Sequence, residues 1–360
     1  MKRVFVSDCE GPISKNDNAF EVTSGFVPDG NKLFTVASRY DDVLAEVVEK
    51  PGHEAGDTLK LILPFLKAYD VTDRKMREFS TEHLVCISGI KDTLQYIRSL
   101  APAFVVSASY EHYLRALCEV LEFPFENAYC TRVCMDKYGL REKEKEELKQ
   151  IAKEIAQMPT FEIPSGAKSL DDLPKEAQKT VRRLDEIFWN RIAEMEIGRV
   201  YREVNPVGGS EKAEAIKDIV HRLGATVADV IYVGDSVTDG KAFKLVRRKG
   251  GLTVSFNGNQ YAVRNSEIAV LSENSIITSV IADVFLRSGK SEALNLVKNW
   301  NRKSLEKSPV NQNLLNRLFK LYPAKLPKTK IITNQNIETL AEESSKFRKK
   351  VRGDAIGRLG

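Results

Sequence analysis

A chain of 360 residues, 42% hydrophobic and 29% charged, has room for roughly two or three structural units and enough apolar mass for a sizeable core. Its formal charge of +5, on 55 basic and 50 acidic side chains, weakly favours anionic ligands and is too small to indicate nucleic acid. The cysteines (Cys9, Cys86, Cys118, Cys130, Cys134) are scattered and odd in number, which argues against a disulfide framework and fits a reducing cytoplasm.

The N-terminus runs straight into Arg3-Val4-Phe5-Val6-Ser7-Asp8, with no apolar stretch before a small-residue cleavage site, so no signal peptide is expected. No run approaches the ~20 apolar residues of a membrane helix. Val4–Val6 reads as a buried strand. Residues 15–85 then carry helical segments at Tyr40–Val48 and Thr58–Ala68, separated by turns at Pro51-Gly52 and Gly56. Gly89–Leu100 reads as a helix with Ile90, Leu94 and Ile97 on one face, followed by a strand at Ala103–Val106 and a helix at Tyr113–Leu121.

Residues 140–198 begin with the charge run Arg141–Lys149, read as a solvated helix face. They continue through Lys175–Met195, with Val181, Leu184, Ile187, Phe188, Ile192 and Met195 at helical spacing. Lys212–Leu223 is a predicted helix ended by Gly224, and Val230–Val233 and Leu252–Phe256 are predicted strands. Beyond residue 286 the chain is helical at Glu292–Trp300 and then polar and basic, as in Phe347-Arg348-Lys349-Lys350-Val351-Arg352. Its final ~25 residues read as a mobile tail.

Buried strands alternating with helices predict an α/β fold with a Rossmann-like parallel sheet. The expected division is a core of residues 1–14, 86–135 and 203–285, and a helical cap at 15–85 inserted after the first strand. A second helical insertion at 136–202 and a helical C-terminal extension at 286–360 complete it.

Ligands bind beyond the carboxyl ends of such strands. Asp8 and Glu10 follow the first predicted strand, Ser107 the second, and Asp235 and Asp239 the third. On neighbouring strands, these carboxylates and this hydroxyl converge on one rim. Unpaired, they would repel one another and carry a large desolvation cost. A divalent cation and a lysine offset both. Mg²⁺ takes oxygen ligands and keeps several waters, and Lys212, at the start of the preceding helix, can reach the same rim.

Asp8-Cys9-Glu10-Gly11, Ser107, Lys212 and Gly234-Asp235-Ser236-Val237-Thr238-Asp239 resemble, in order and spacing, the four motifs of the haloacid dehalogenase (HAD) superfamily. Phe104 to Pro124 and Gly251 to Ile268 look closest to its phosphoserine phosphatase branch. The resemblance implies a magnesium-dependent phosphohydrolase acting on a small phosphorylated metabolite. In that reading Asp8 is the nucleophile and forms an aspartyl-phosphate. Glu10 is the general acid and then base, its backbone carbonyl touching Mg²⁺. Ser107 holds a phosphoryl oxygen, Asp235 ligates the metal, and Asp239 holds a metal-bound water or Lys212. One departure is Glu10, where most HAD phosphatases carry Asp.

Asp17 stands where the phosphoserine phosphatase pattern has an acidic substrate-binding residue. Arg39 and Lys60 are cations in the same insertion that could meet a substrate carboxylate, and Asn257 is placed at the pocket rim. The histidines show no mutual spacing that suggests a site. No nucleic-acid or membrane partner is expected. The rival readings are a phosphotransferase of the same chemistry and a non-catalytic protein that kept the fold.

Overall fold

The computed structural model describes residues 3–164 and 166–359. Its centre is a seven-stranded sheet made of β1 (Val4–Ser7), β2 (Ala103–Tyr110), β3 (Ala128–Thr131), β4 (Val230–Gly234), β5 (Leu252–Phe256), β6 (Ile268–Leu271) and β7 (Lys328–Ile331). The spatial order is β3-β2-β1-β4-β5-β6-β7, all pairings parallel except the antiparallel β6–β7 edge. Side chains alternate between the faces of a strand, so an unbroken apolar run needs cover on both. Phe5, Val105, Ile231 and Val233 point into one hydrophobic cluster, whereas Val4, Val6, Phe104 and Tyr232 point into another. The predicted α/β class is therefore the observed one.

Three strands are not among those expected. Ala128–Thr131 is only partly buried, and Ile268–Leu271 is an apolar, fully buried run that the sequence reading does not single out. Lys328–Ile331 alternates lysines with its one buried residue, Thr329, as suits a charged edge strand. β7 belongs to the C-terminal extension, which therefore contributes to the sheet itself.

The helices after β1 begin with α1 (Asn18–Phe26) and α2 (Gly30–Asp42). The helix expected at Tyr40–Val48 is instead the end of α2 continued by a π-helical turn, Val43–Val47. That expected at Thr58–Ala68 is broken at Ile62. It restarts with Pro64 in its first turn, where the missing N–H costs nothing. The charge run forms the first half of the helix Glu142–Ala156, whose apolar residues Leu148, Ile151 and Ile155 are buried. These residues share one hydrophobic cluster with Val22, Leu33 and Phe65 from the segment before β2 and with Val181 and Phe188 from Lys175–Arg191. The two helical stretches between sheet elements thus pack as one body.

Helix α3 (Gly209–Leu223) precedes β4 and ends at Gly224 in the left-handed conformation. The predicted mobile tail is a correction. Residues 337–357 fold into α4 (Ile337–Arg352) and a short α5 (Asp354–Gly357) that turns back on it. Leu340, Ala341, Ser344, Arg348 and Arg352 of α4 are buried, and Leu359 packs into the cluster of the two helical stretches. The polar composition conceals a buried face at i, i+4 spacing. Among the described residues no helix is long and apolar enough to cross a membrane.

Candidate active site

β1 and β4 are neighbours with Ser7 opposite Val233, so the residues that follow them, Asp8 and Asp235, emerge side by side. β2 flanks β1 on the other side and carries Ser107 to the same rim. Two glycines make the approach possible. Gly11 has φ 112°, and a β-carbon there would collide with the Asp235 carboxylate; at Gly234 it would collide with that of Asp239.

Lys212, in the first turn of α3, is fully buried. Its Nζ lies 2.9 Å from Asp8 Oδ2 and 2.8 Å from Asp239 Oδ1. Asp239 is engaged on every side: Oδ1 also accepts from the Tyr232 hydroxyl (2.6 Å), and Oδ2 accepts from the N–H groups of Asp235 (2.8 Å) and Ser236 (2.9 Å). It therefore positions the lysine and the turn after β4. Asp8 accepts one further hydrogen bond, from the Cys9 N–H at 2.7 Å. Burial pushes the Asp8 carboxyl up to about 6, with Lys212 opposing and Asp239 adding to the shift. Burial would lower the Lys212 ammonium, but Asp239 and Asp8 outweigh it and hold its pKa above the ordinary lysine value.

Glu10 turns toward the start of α1, where its Oε1 accepts the Asn18 N–H at 2.6 Å. Burial, reinforced by Asp17, raises the Glu10 carboxyl well above the usual range. A shift in that direction suits a general acid. Asp17 caps α1 by accepting the Phe20 N–H at 3.0 Å, and burial raises it too. Ser107 Oγ lies 3.0 Å from Ser109 Oγ.

Asp8, Glu10, Asp17, Ser107 and Asp235 line one cavity of about 90 Å³. Asp41, Asp42, Thr58 and Leu59 from the segment between β1 and β2 line it as well, and so do Arg348, Arg352 and Leu359. Three residues expected at the substrate have other partners. Arg39 pairs with Asp42 (3.1 Å) and Lys60 with Asp57 (2.6 Å). Asn257, at φ 51°, spends its amide on Ser272, donating to the carbonyl at 2.7 Å and accepting the N–H at 2.9 Å. It ties the turn after β5 to the end of β6 and does not line the cavity.

Sequence reasoning missed Asp41, Asp42 and the two arginines. Arg352 donates to Asp235 Oδ2 at 3.0 Å and to the carbonyls of Lys15 (3.0 Å) and Asn16. Arg348 donates to Asp235 Oδ2, to the Asp235 carbonyl (3.3 Å) and to the Leu359 carbonyl (3.4 Å). The available signal is their four-residue spacing in line with Ser344 and Leu340, which sets them apart from Lys349 and Lys350.

Carboxylate oxygens of Asp8, Asp235 and Asp239 all lie within 4.8 Å of one another, and Asp235 Oδ1 is buried without a hydrogen-bond donor. An all-oxygen donor set with one unsatisfied buried acceptor fits Mg²⁺. With Asp239 saturated, Asp8 and Asp235 are the two that would hold it.

No family model and no curated protein matches the chain. Among solved structures, a gene product from Archaeoglobus fulgidus matches with a TM-score of 0.81 at 25% identity, covering 100% of this chain and 99% of that one. A phosphoserine phosphatase matches at 0.46 and 13%, covering 76% of this chain and 95% of that one. A HAD family hydrolase from Salmonella enterica serovar Typhi matches at 0.38 and 10%, covering 70% and 62%. The last two scores are too low to carry an argument. The first shows that the whole architecture, both helical stretches and the C-terminal hairpin included, recurs in another protein.

Proposed function

We propose that this protein is a magnesium-dependent phosphohydrolase that cleaves a small phosphorylated metabolite through an aspartyl-phosphate on Asp8. The observation that carries this reading is the buried Lys212, bridging Asp8 and Asp239 beside Asp235 on the rim that also bears Ser107. Asp8 attacks phosphorus through a carboxylate oxygen, and the bond from phosphorus to the ester oxygen breaks. Glu10 gives its proton to the departing alkoxide. Glu10, now a carboxylate, takes a proton from a water that attacks the same phosphorus, releasing inorganic phosphate and restoring Asp8. Lys212 neutralises negative charge on Asp8 and on the arriving phosphoryl group, and Ser107 offers a hydroxyl to a phosphoryl oxygen. Asp8 and Asp235 would hold Mg²⁺, which would supply further charge neutralisation at the phosphoryl oxygens.

Asp17 and the residues between β1 and β2 form the substrate side of the cavity, with residues 15–85 acting as a cap that excludes bulk water. A panel of phosphorylated metabolites, assayed for released phosphate with Mg²⁺ and with chelator, tests the proposal. Metal-dependent release from at least one monoester is expected. Full turnover after exhaustive chelation, or no release from any monoester, would sink it.

A further inference from the structure

The group nearest to Asp235 is part of the chain itself. Arg348 and Arg352 come from successive turns of α4, are 3% and 8% exposed, and both donate to Asp235 Oδ2. One carboxylate oxygen thus serves two guanidiniums. Burial holds the Arg348 pKa well below its ordinary value, and the neighbouring Arg352 charge pushes the same way. Arg348 Nε is buried with no acceptor. Both guanidiniums also feel the carboxylates of Asp17 and Glu10, but the direct ion pairs of both arginines run to Asp235 Oδ2, and the cluster keeps this form only while that oxygen stays available.

The same helix closes the cavity mechanically. Ser344 Oγ donates to the Gly258 carbonyl (2.6 Å), in the turn after β5, and α4 packs along the helix Gln260–Asn265. The chain then reverses through α5 and seats Leu359 on the cavity wall and in the hydrophobic cluster opposite the sheet. The hairpin therefore spans from sheet to helical body across the mouth of the site. Arg348, Arg352 and Leu359 take up part of the wall of the cavity that holds Asp8 and Asp235.

We propose that the α4–α5 hairpin is an autoinhibitory latch, held shut by Asp235 through Arg348 and Arg352 and released when a divalent cation takes that carboxylate. A cation bound to Asp235 would face two guanidiniums at contact range, and the repulsion favours expulsion of the weaker-held Arg348. Arg352 keeps two backbone carbonyls and stays as the hinge side. Metal entry and opening for substrate are then one event. That the cation is Mg²⁺ rests on the function proposed above; that Asp235 holds the hairpin does not.

Amide hydrogen exchange on the full chain reads the latch directly. Without metal, Asp235→Asn should accelerate exchange in residues 337–357 by about tenfold or more, while β1 and β4 keep their protection. In the wild type, saturating Mg²⁺ should accelerate the same segment. In calorimetric titration Arg348→Gln should bind Mg²⁺ about tenfold more tightly, since the competitor is gone. Arg348→Lys, which keeps the charge, should lie between the two and guards against misfolding of the glutamine variant. Unchanged exchange in Asp235→Asn, or Mg²⁺ bound with the hairpin still protected, overturns the latch. So does Mg²⁺ affinity that is equal or weaker in both Arg348 variants. A hairpin that loosens as expected in a protein that releases no phosphate would sink the phosphohydrolase reading and leave the latch standing.

Discussion

Two buried cation–carboxylate clusters sit side by side at this rim, and they differ in how fully their hydrogen-bonding atoms are used. Around Lys212, one ammonium serves two carboxylates, and every polar atom of Asp239 is used. Around Asp235, two guanidiniums crowd one oxygen while the other oxygen has no donor. In the first, Asp239 is fully engaged and fixes the lysine that faces Asp8. The second has an unspent acceptor, Asp235 Oδ1, and an unspent donor, Arg348 Nε. Burial alone does not separate them, since both are nearly water-free. What separates a fixed structural ion cluster from an exchangeable one is whether each lone pair and each proton has a partner.

Removing the centre of the saturated cluster should have the largest effect. Lys212→Met leaves Asp8 and Asp239 buried without a counter-charge, so chemical denaturation at neutral pH should show a loss of about 3–5 kcal/mol, with turnover abolished. A stable, active variant would mean the lysine is dispensable to both.

Asp8→Asn should also abolish turnover but leave the fold intact, because Lys212 keeps Asp239. It should change how stability depends on pH. The Asp8 carboxyl is raised from 3.8 to about 6, so the folded protein holds that proton more tightly than the unfolded chain. Its contribution is fully present below pH 3.8 and is lost as pH rises through about 6. In chelator, the wild type should therefore lose stability relative to Asp8→Asn between those two values. Parallel stability curves for the two proteins across that window would place the proton elsewhere.

An intermediate effect is expected at Glu10. Glu10→Gln removes the acid and should slow alkyl phosphate cleavage by ~10²–10⁴, and slow p-nitrophenyl phosphate much less, because that leaving group needs little protonation. Phosphoenzyme should accumulate with the aryl substrate, since water activation is lost as well. Equal losses on both substrates with no trapped intermediate would make Glu10 a shaping residue only.

The smallest effect serves as the control for the arginine cluster. Lys350, on the same helix, pairs with Glu273 at 2.6 Å with both side chains more than half exposed. Lys350→Gln should change stability by less than about 0.5 kcal/mol and leave exchange in the hairpin unaltered. A loosened hairpin in this variant would show that general loss of positive charge, not the Asp235 contact, holds α4 down.

The saturated cluster is legible in the sequence because its members sit at positions with a local signature. Asp8 follows the apolar run of β1, Asp239 lies in the turn just after that of β4, and Lys212 opens a helix that Gly224 closes. Strand order then brings them together by the general rule of parallel sheets. The arginine cluster has only the weaker signal of i, i+4 spacing with Leu340 and Ser344, because the residue types within Phe347–Arg352 do not by themselves tell a buried arginine from a solvated lysine. The fold shows that Arg348 and Arg352 share a face with Leu340 and Ser344 while Lys349 and Lys350 do not. Arg39, Lys60 and Asn257 have the right positions along the chain for a substrate role. Their neighbours Asp42, Asp57 and Ser272 hold them instead, and such pairings depend on tertiary packing. β7 is hidden because edge strands carry charges to discourage pairing with other chains, which erases the apolar pattern by which strands are recognised.

The placement of β1 has a kinetic consequence. It lies in the middle of the sheet, yet its partners are β2, whose pairing starts at Ala103, and β4, whose pairing starts at Val230. The strand that ends at Asp8 cannot find either neighbour through a short loop, so it gains nothing until distant segments have been ordered. Folding of such a topology is slow, and this apolar strand stays exposed while it waits. Refolding yield should therefore fall steeply with protein concentration, with light scattering growing in before the buried tyrosines recover their native fluorescence.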